Sequence, residues 1–289
     1  MDEMAGIDRF DHASEHGRWT LWRKRPAALL RPHVIELEGY VESGGTPLVR
    51  RELPFAGIPL ILVFEHHFSV FDDDGAKSVR LGQGFIAGLT DQPTLVGSPG
   101  HAFCMQVNFT PLGARRILGL NLYEIGGLVV PADAVLGAAF RGLEDRLAHA
   151  VGWPQRFAII ERYLLERLDR NAPPTPLVEA GYTQLVAAGG RLDIAGLAAR
   201  LEISRKHLGT LFRREIGITP KAVARLLRFE TALAALRSGQ VQSLADLAYA
   251  CGYADQSHFN GEFRSMSGQS PTALLRASLP DGSVLAPPR

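Results

Sequence analysis

The chain has 289 residues, a formal net charge of +1 and two cysteines. Its length suits two domains, and no apolar run approaches the roughly 18 residues of a membrane span, so no association with a membrane is expected. Cys104 and Cys251 lie far apart in apolar segments, which predicts reduced core thiols, and the polar N-terminus predicts no signal peptide and a cytoplasmic protein.

The charge is divided unevenly along the chain. The first 177 residues carry 18 Lys/Arg and 21 Asp/Glu, a net charge of −3, whereas residues 178–289 carry 13 and 9, a net charge of +4. This asymmetry is typical of a nucleic-acid-binding module joined to a part of another kind.

The N-terminal part shows the period-two pattern of β-strands. About 30 polar residues, expected to be partly unstructured at the start, come first, and Ile35 and Leu37 then alternate with Glu36 and Glu38. The segments with apolar runs or alternation are 33–41, 59–64, 68–71, 84–89 and 103–109. The DDDG sequence at 72–75 predicts a hairpin turn. Short strands with Gly and Pro turns predict a β-barrel or jelly roll.

Histidines in this part are the candidate metal ligands. Two histidines that are two residues apart on a strand point the same way, whereas His66 and His67 are adjacent and would point to opposite faces. The chain also lacks a GxSxG motif, a P-loop and a GxGxxG motif in a suitable context. We therefore predict no metal, no cofactor and no catalytic residues.

Three helices are predicted after the strands. Thr110-Pro111 begins one that Gly119 ends, and apolar residues at helical spacing predict two more, at 133–151 and 155–169. The last two form an αα-hairpin with one apolar stripe on each helix. These stripes either pack on the strands or contact a second copy of the chain, which would make a homodimer.

The C-terminal part contains one unit twice. Residues 171–177 contain three prolines and are the predicted linker. After it come LAARLEISRKHLGTLFRREIGITP, from Leu197 to Pro220, and LAYACGYADQSHFNGEFRSMSGQSP, from Leu247 to Pro271, at an offset of about 50. Each copy predicts a short helix, a tight turn and a longer helix, an arrangement that fits the major groove of DNA.

Capping residues mark both copies and the helix between them. Gly217 and Gly268 are predicted to end the two longer helices as left-handed C-caps. The predicted N-caps are Asp193, Ser204, Thr219, Ser243, Asp255 and Ser270. A connecting helix from Pro220 to Arg237 would be about 27 Å long and would place the two longer helices about 34 Å apart, one turn of DNA.

The outward residues of the two longer helices are the candidate DNA contacts. They are Arg205, Lys206, Gly209, Thr210 and Arg213 in the first copy, and Gln256, Ser257, Asn260, Gly261 and Arg264 in the second. Lys and Arg bind phosphates, while Arg, Gln and Asn hydrogen-bond to base edges.

Over about residues 179–276 the chain resembles the AraC/XylS family of bacterial transcription regulators. The segments that carry the resemblance are ISRKHLGTLFRREIGITP, RFETALAALRSG and LADLAYACGYADQSHFNGEFRSMSGQSPTALLR. The resemblance implies two helix-turn-helix motifs on promoter DNA, with the base-reading positions at Lys206, Gly209, Thr210, Ser257 and Gly261. Family members often carry a long polar side chain where the two glycines stand. Either the backbone approaches DNA closely there, or readout shifts to the other outward residues, which is the alternative we favour.

For the rest of the chain the resemblance implies a cupin-like sensor domain. The predicted fold is therefore α+β. Its parts are a cupin-like β-barrel or jelly roll at 1–130, a helical hairpin that is a candidate dimer contact at 131–170, a linker at 171–177, an all-α double helix-turn-helix domain at 178–278 and a tail at 279–289.

The predicted function is a sequence-specific DNA-binding transcription regulator, not an enzyme. Its partners would be double-stranded promoter DNA, a second copy of the chain, a small-molecule effector and, as a further candidate, RNA polymerase. The alternative is a cupin-type metal-dependent enzyme with a DNA-binding appendage. The sequence leaves open the effector, the operator and whether transcription rises or falls.

Overall fold

Strands dominate the first third of the molecule. The computed structural model describes residues 6–14, 17–72, 78–137, 139–278 and 284–286. The first ten strands are β1 (Ile7–Ser14), β2 (Gly17–Lys24), β3 (Val34–Ser43), β4 (Leu48–Glu52), β5 (Ile58–Glu65), β6 (Phe68–Phe71), β7 (Ser78–Leu81), β8 (Phe85–Ala87), β9 (Thr94–Ser98) and β10 (Ala102–Phe109).

Helices make up most of the remainder, so the predicted α+β class is confirmed. The first five are α1 (Pro111–Leu118), α2 (Leu122–Ile125), α3 (Ala132–Leu136), α4 (Ala139–Ala148) and α5 (Gly152–Leu168), with β11 (Val129–Pro131) before α3. The others are α6 (Pro176–Ala187), α7 (Ile194–Arg200), α8 (Arg205–Ile216), α9 (Pro220–Arg237), α10 (Leu244–Ala250), α11 (Gln256–Ser267) and α12 (Pro271–Ala277). In the segment predicted as a tail, β12 (Val284–Leu285) is a strand.

The strands form two antiparallel sheets. The strand order is β1-β2-β3-β10-β5-β8-β11 in the first sheet and β12-β4-β9-β6-β7 in the second. Neither order returns to its first strand, so the described residues form two open sheets and the closed-barrel form of the prediction is not confirmed. β6 and β7 pair as a hairpin from Phe68 with Leu81 to Phe71 with Ser78. The predicted DDDG turn between them falls largely on residues 73–77, outside the described part.

Two strands precede His33, in the polar segment that was expected to be partly unstructured at its start and for which no strand was predicted. β1 and β2 pair from Ile7 with Lys24 to Ser14 with Gly17. Charged residues occupy much of this hairpin, but Trp19 is buried and the ring of Trp22 stacks on that of Trp153 with 5.0 Å between centroids. Two tryptophans therefore anchor a hairpin whose composition is otherwise polar.

The first sheet has one apolar and one partly polar face. Leu37, Leu60 and Met105, on three neighbouring strands, share a hydrophobic cluster with Phe140 of α4 and Phe157 of α5. The residues that alternate with them face the second sheet across a cavity. The polar side of the predicted alternation thus points into the space between the sheets.

A register shift changes the predicted alternation at the start of β3. Phe109 pairs with Val34, whereas Asn108 pairs with Glu36, so the ladder is irregular at this point. As a result Val34 is buried and Ile35 is 49% exposed. A bulge of this kind adds one residue to one strand and reverses the side to which its neighbours point.

The predicted helices after the strands are largely confirmed. Thr110 caps α1, and Gly119 ends it with a left-handed backbone. The single helix predicted at 133–151 is wrong, because Gly137, with φ of 78°, separates α3 from α4. The apolar stripes of α4 and α5 lie in the hydrophobic core of the chain, so these stripes are not available to a second copy.

Both cysteines are buried and form no disulfide. Burial raises the pKa of the Cys104 thiol to about 12, so its reactive thiolate form is strongly disfavoured. Within the described residues, no helix has the length and apolar character needed to cross a membrane.

Close packing at Gly39 gives a stability prediction. A Cβ atom at Gly39 would lie 2.3 Å from the ring of Trp153. We predict that Gly39→Ala lowers the free energy of unfolding by about 1–3 kcal/mol, because the stacked ring must move. Equilibrium denaturation measures the change.

The matched control is Gly142→Ala in α4, where a Cβ atom meets no heavy atom of the described residues within 4 Å. It should raise the free energy of unfolding by about 0.5–1 kcal/mol, because alanine favours the helix. A Gly39→Ala protein as stable as the parent would contradict the packing described.

Candidate nucleic-acid interface

The two turns between short and long helices have the same backbone hydrogen bonds. Ile203 N donates to Ala198 O at 3.1 Å, and Tyr253 N donates to Ala248 O at 2.9 Å. The residue before each donor, Glu202 in the first copy and Gly252 in the second, has a left-handed backbone, with φ of 55° and 79° respectively. The offset of 50 residues therefore reproduces the geometry as well as the sequence.

The predicted capping residues act as caps in both copies. The side chain of each predicted N-cap accepts a hydrogen bond from the backbone N–H three residues later. Ser243 also donates its hydroxyl to Asp246 Oδ2 at 2.6 Å, so the two side chains of the predicted capping-box pair are in contact. Gly217 and Gly268 end α8 and α11 with φ of 93° and 75°. The connecting helix, α9, has the predicted bounds.

The inward faces of α8 and α11 fix their orientation. Leu208 and Phe212 of α8, and Phe259 and Phe263 of α11, are completely buried. The α8 pair lies in the large cluster that also contains the N-terminal core, whereas the α11 pair lies in a separate C-terminal cluster. Each long helix therefore presents one fixed side to solvent.

The predicted DNA contacts lie on that solvent side. Among the ten, Gly209 and Asn260 are half-buried and the others are exposed. Thr210 Oγ1 donates to Lys206 O at 3.1 Å, so its hydroxyl is turned back to the helix. The structure thus brings the outward residues of each copy onto one accessible helical face, which is the condition for either to enter a groove.

Neither glycine on these faces is required by the protein's own packing. A Cβ atom at Gly209 would meet only Arg213 Nη1, at 4.0 Å, and one at Gly261 would meet nothing within 4 Å of the described residues. Both have ordinary helical backbones. A packing reason for glycine is therefore absent from the described structure, and only DNA could supply a steric one.

The C-terminal end of α8 is held by the N-terminal part through a buried carboxylate. Glu215 has no exposed side-chain surface; Arg214 Nη2 lies 2.6 Å from Oε1 and Arg115 Nε 3.5 Å from Oε2. Thr175 donates its backbone N–H to Oε2 at 2.8 Å and its hydroxyl to Oε1. Burial alone would raise the pKa of Glu215, but the hydrogen bonds from Thr175 and Arg214 and the charge of Arg115 lower it.

This contact was not predicted from the sequence, although the repeat contains a signal for it. Glu215 stands where the second copy has Met266, and both are fully buried. A carboxylate in place of a buried methionine indicates a polar partner outside the repeat.

The second long helix is also tied to the N-terminal part. Arg225 of α9 donates to Asp91 Oδ2 at 2.6 Å and to Glu262 Oε1 of α11 at 3.2 Å, and Arg228 donates to Glu262 Oε2 at 3.0 Å. No sequence pattern indicated these pairings, because the partners are up to 134 residues apart.

The histidines do not assemble a metal site in the described part of the chain, where no three His, Cys, Asp or Glu side chains converge suitably. His66 follows β5 with φ of 67°, and its ring centroid is 5.6 Å from that of His101. The enzyme alternative therefore gains no support.

Comparisons with known proteins agree with this geometry. Residues 197–277, which include both copies, match the model of a helix-turn-helix domain family. Over 208 residues the chain is 28% identical to the HTH-type transcriptional regulator GlxA of Rhizobium meliloti, covering 66% of this chain and 61% of GlxA. Over 79 residues it is 30% identical to the HTH-type transcriptional activator RhaS of Pectobacterium atrosepticum, covering 27% of this chain and 28% of RhaS.

Residues 197–277 are an AraC-type helix-turn-helix domain. The resemblance read from the sequence is thereby confirmed for this AraC-type domain. The chain spans less than two thirds of the length of the curated relatives it matches. Among solved structures, ToxT from Vibrio cholerae aligns with 83% of the chain and 98% of its own, at 13% identity and a TM-score of 0.48.

The free space at Gly261 gives a prediction for the AraC-type domain. Gly261→Ala should raise the free energy of unfolding by about 0.5–1 kcal/mol, because alanine favours the helix. DNA affinity, measured by fluorescence anisotropy, should stay unchanged if the position makes no direct contact. A large loss of affinity in a stabilised protein would instead show that the backbone approaches DNA closely.

The buried carboxylate gives a prediction for stability against pH. Glu215→Gln should lower the free energy of unfolding near pH 7 by about 2 kcal/mol, because charged hydrogen bonds are lost. The folded pKa lies below the ordinary value of 4.5. The contribution of Glu215 is therefore complete above that pH and is lost as the pH falls through the folded pKa. Denaturation curves of parent and variant should accordingly converge towards acid pH.

Glu166→Gln is the matched control, because Glu166 is exposed on α5. It should change the free energy of unfolding by no more than about 0.5 kcal/mol. Curves for Glu215→Gln that coincide with the parent at neutral pH, or diverge towards acid, would refute the assignment.

Proposed function

We propose that this chain is a sequence-specific DNA-binding regulator of transcription whose N-terminal part binds a small-molecule effector. The proposal rests on one observation: two capped and exposed helices, α8 and α11, are joined by the connecting helix α9. We call α8 and α11 the recognition helices. DNA is the partner that such a pair of helices fits, since each can enter a major groove.

The chemistry of the exposed faces suits this partner. In α8, Arg205 and Lys206 lie in the first turn and Arg213 lies further along the same side, so positive charge and free N–H groups face the phosphates. In α11, Gln256 is exposed in the first turn and Arg264 lies two turns later. Their side chains can hydrogen-bond to adenine and guanine edges respectively.

The effector would bind between the two sheets. A cavity of about 580 Å³ lies there, within the size range of small-molecule sites. Its lining includes Glu230, Leu233, Ala234 and Arg237 of α9, at the spacing of one helical face. A molecule in the cavity would therefore touch the helix that carries both DNA-reading units.

The proposal also covers the domains of the chain, its location and its further partners. The N-terminal part, 1–130, would be a cupin-like jelly-roll sensor, 131–170 its helical support, 171–177 the linker and 178–278 the DNA-binding domain. The protein would act in the cytoplasm without enzymatic activity. A homodimer would form through faces other than the buried stripes of α4 and α5, and RNA polymerase is a candidate contact.

Selection of bound sequences from a random DNA pool tests the function. We expect enrichment of a site with two half-sites about 10–11 base pairs apart. Failure to enrich any sequence, together with DNA binding that does not depend on salt, would refute the proposal.

The residue-level test is Lys206→Ala. It should weaken binding to the selected site by about 1–3 kcal/mol if Lys206 contacts a base edge. An equal loss on random DNA would assign Lys206 to a phosphate contact instead. The control is Arg162→Ala, which removes an exposed cation of α5 and should leave both affinities unchanged.

A further inference from the structure

The cavity wall formed by the first sheet carries a polar patch. Across the β3–β10 ladder, Glu36 pairs with Asn108 and Glu38 pairs with Gln106, and all four line the cavity. Gln106 Nε2 donates to Asn108 Oδ1 at 2.8 Å, and Asn108 Nδ2 donates to Glu38 Oε2 at 3.5 Å. The amides thus hold the patch together, and the carboxylates supply its charge.

Positive charge is scarce beside these carboxylates. Arg23 Nε lies 2.7 Å from Glu36 Oε1 and Arg23 Nη2 lies 2.9 Å from Glu38 Oε1, so one guanidinium serves two carboxylates. Glu230 of α9 accepts a hydrogen bond from Ala56 N at 3.0 Å, and no cation of the described residues contacts it. Burial and the charge of Glu38 raise the pKa of Glu36 to about 7, and burial raises that of Glu230.

The three arginines that line the cavity in the described part of the chain are engaged elsewhere. Arg50 Nη2 lies 3.2 Å from Glu42 Oε1, in an ion pair whose two side chains are both buried. Arg51 donates to the carbonyl oxygen of Ser267 at 3.4 Å, and Arg237 also has a partner. Among the described residues these guanidiniums therefore do not pair with Glu36 or Glu38, and besides Arg23 only a proton or a bound cation can compensate the charge of the two carboxylates.

Further along, the same cavity is apolar. Side chains of both sheets line this portion: Ile61, Phe68, Val70, Phe85 and Val96. Four of them belong to or pack against a hydrophobic cluster between the sheets, but the cavity beside them is open. The space accordingly offers an acidic region and an apolar region to one molecule.

We propose that this cavity binds a cationic amphiphile, a small molecule with an ammonium or amidinium head against Glu36 and Glu38 and an apolar body between the sheets. The proposal deepens, and rests on, the effector-binding role proposed above. A cationic head would take the place of the proton that the raised pKa of Glu36 favours, and hydrogen bonds between charged partners are stronger than neutral ones. Glu230 extends the acidic lining onto α9, so the bound cation would also be attracted to the connecting helix.

Calorimetry of the full chain with n-octylamine, n-octanol and octanoate tests the proposal, because these probes share a body and differ in the charge of the head. Octylamine should bind about tenfold more tightly than octanol, and octanoate least tightly. The double variant Glu36→Gln with Glu38→Gln should lose about tenfold in octylamine affinity and change octanol affinity less than about twofold. Glu65→Gln, at the exposed end of β5 and outside the cavity lining, should leave all three affinities unchanged.

Tightest binding of octanoate, no binding of any probe, or an amine preference that survives in the double variant would each overturn the proposal. Thermal unfolding of the variants confirms that they are folded. DNA binding to the selected site is measured on the same samples. Operator binding without amine binding would leave the regulator intact and reject this ligand class, whereas amine binding without operator binding would reject the regulator alone.

Discussion

The connecting helix α9 belongs to two hydrophobic cores at once, and the rest of the architecture depends on this. Its first half contributes Val223 and Leu227 to the cluster that contains the N-terminal core and α8. Its second half contributes Phe229 and Leu233 to the cluster that contains α11. Because interiors are close-packed, a helix embedded in two cores fixes the position of both. The two long helices, α8 and α11, therefore keep one relative placement as long as α9 stays intact.

The same helix also connects α8 and α11 to the space between the sheets. One face of α9 lines the cavity, and Arg225 joins Asp91 of the N-terminal part to Glu262 of α11. On the other unit, the buried Glu215 joins α8 to α1 and to the linker. Removing one partner of a buried charge is costly, so the N-terminal part cannot move away from either unit without loss of these contacts. The proposed ligand and DNA would therefore act on one continuously packed body.

Local patterns made the helical domain predictable from the sequence. Each cap is a short-range interaction of a residue with the backbone three positions away, as for Ser204 and Asp255, so the sequence alone contains the information. The buried Phe212 and Phe263 stand at equivalent positions of the two copies, so the repeat itself indicates that both are core residues. Exposure of the candidate contact residues followed from helical periodicity, whereas their binding to DNA remains a prediction.

Non-local effects account for what the sequence did not reveal. Trp22 stacks on Trp153, a partner 131 positions away in the sequence, so the sequence of the first hairpin indicated only a polar segment. A bulge leaves Ile35 exposed. The second sheet lies across the cavity from the polar face that carries Glu38, whereas alternation alone would leave this face in open solvent. Gly137 divided a helix whose apolar spacing ran on without interruption. At Trp22 and Glu38 tertiary packing, rather than local preference, decided the outcome. The left-handed backbone of Gly137 is instead a local feature that the continuous apolar spacing obscured.

In the proposed complex α9 sets α8 and α11 along one side of a DNA duplex. Hydroxyl-radical footprinting of the full chain on its selected DNA site measures this arrangement. Two protected segments are expected on the same face, about one helical turn apart. A single protected segment, or two segments on opposite faces, would contradict it.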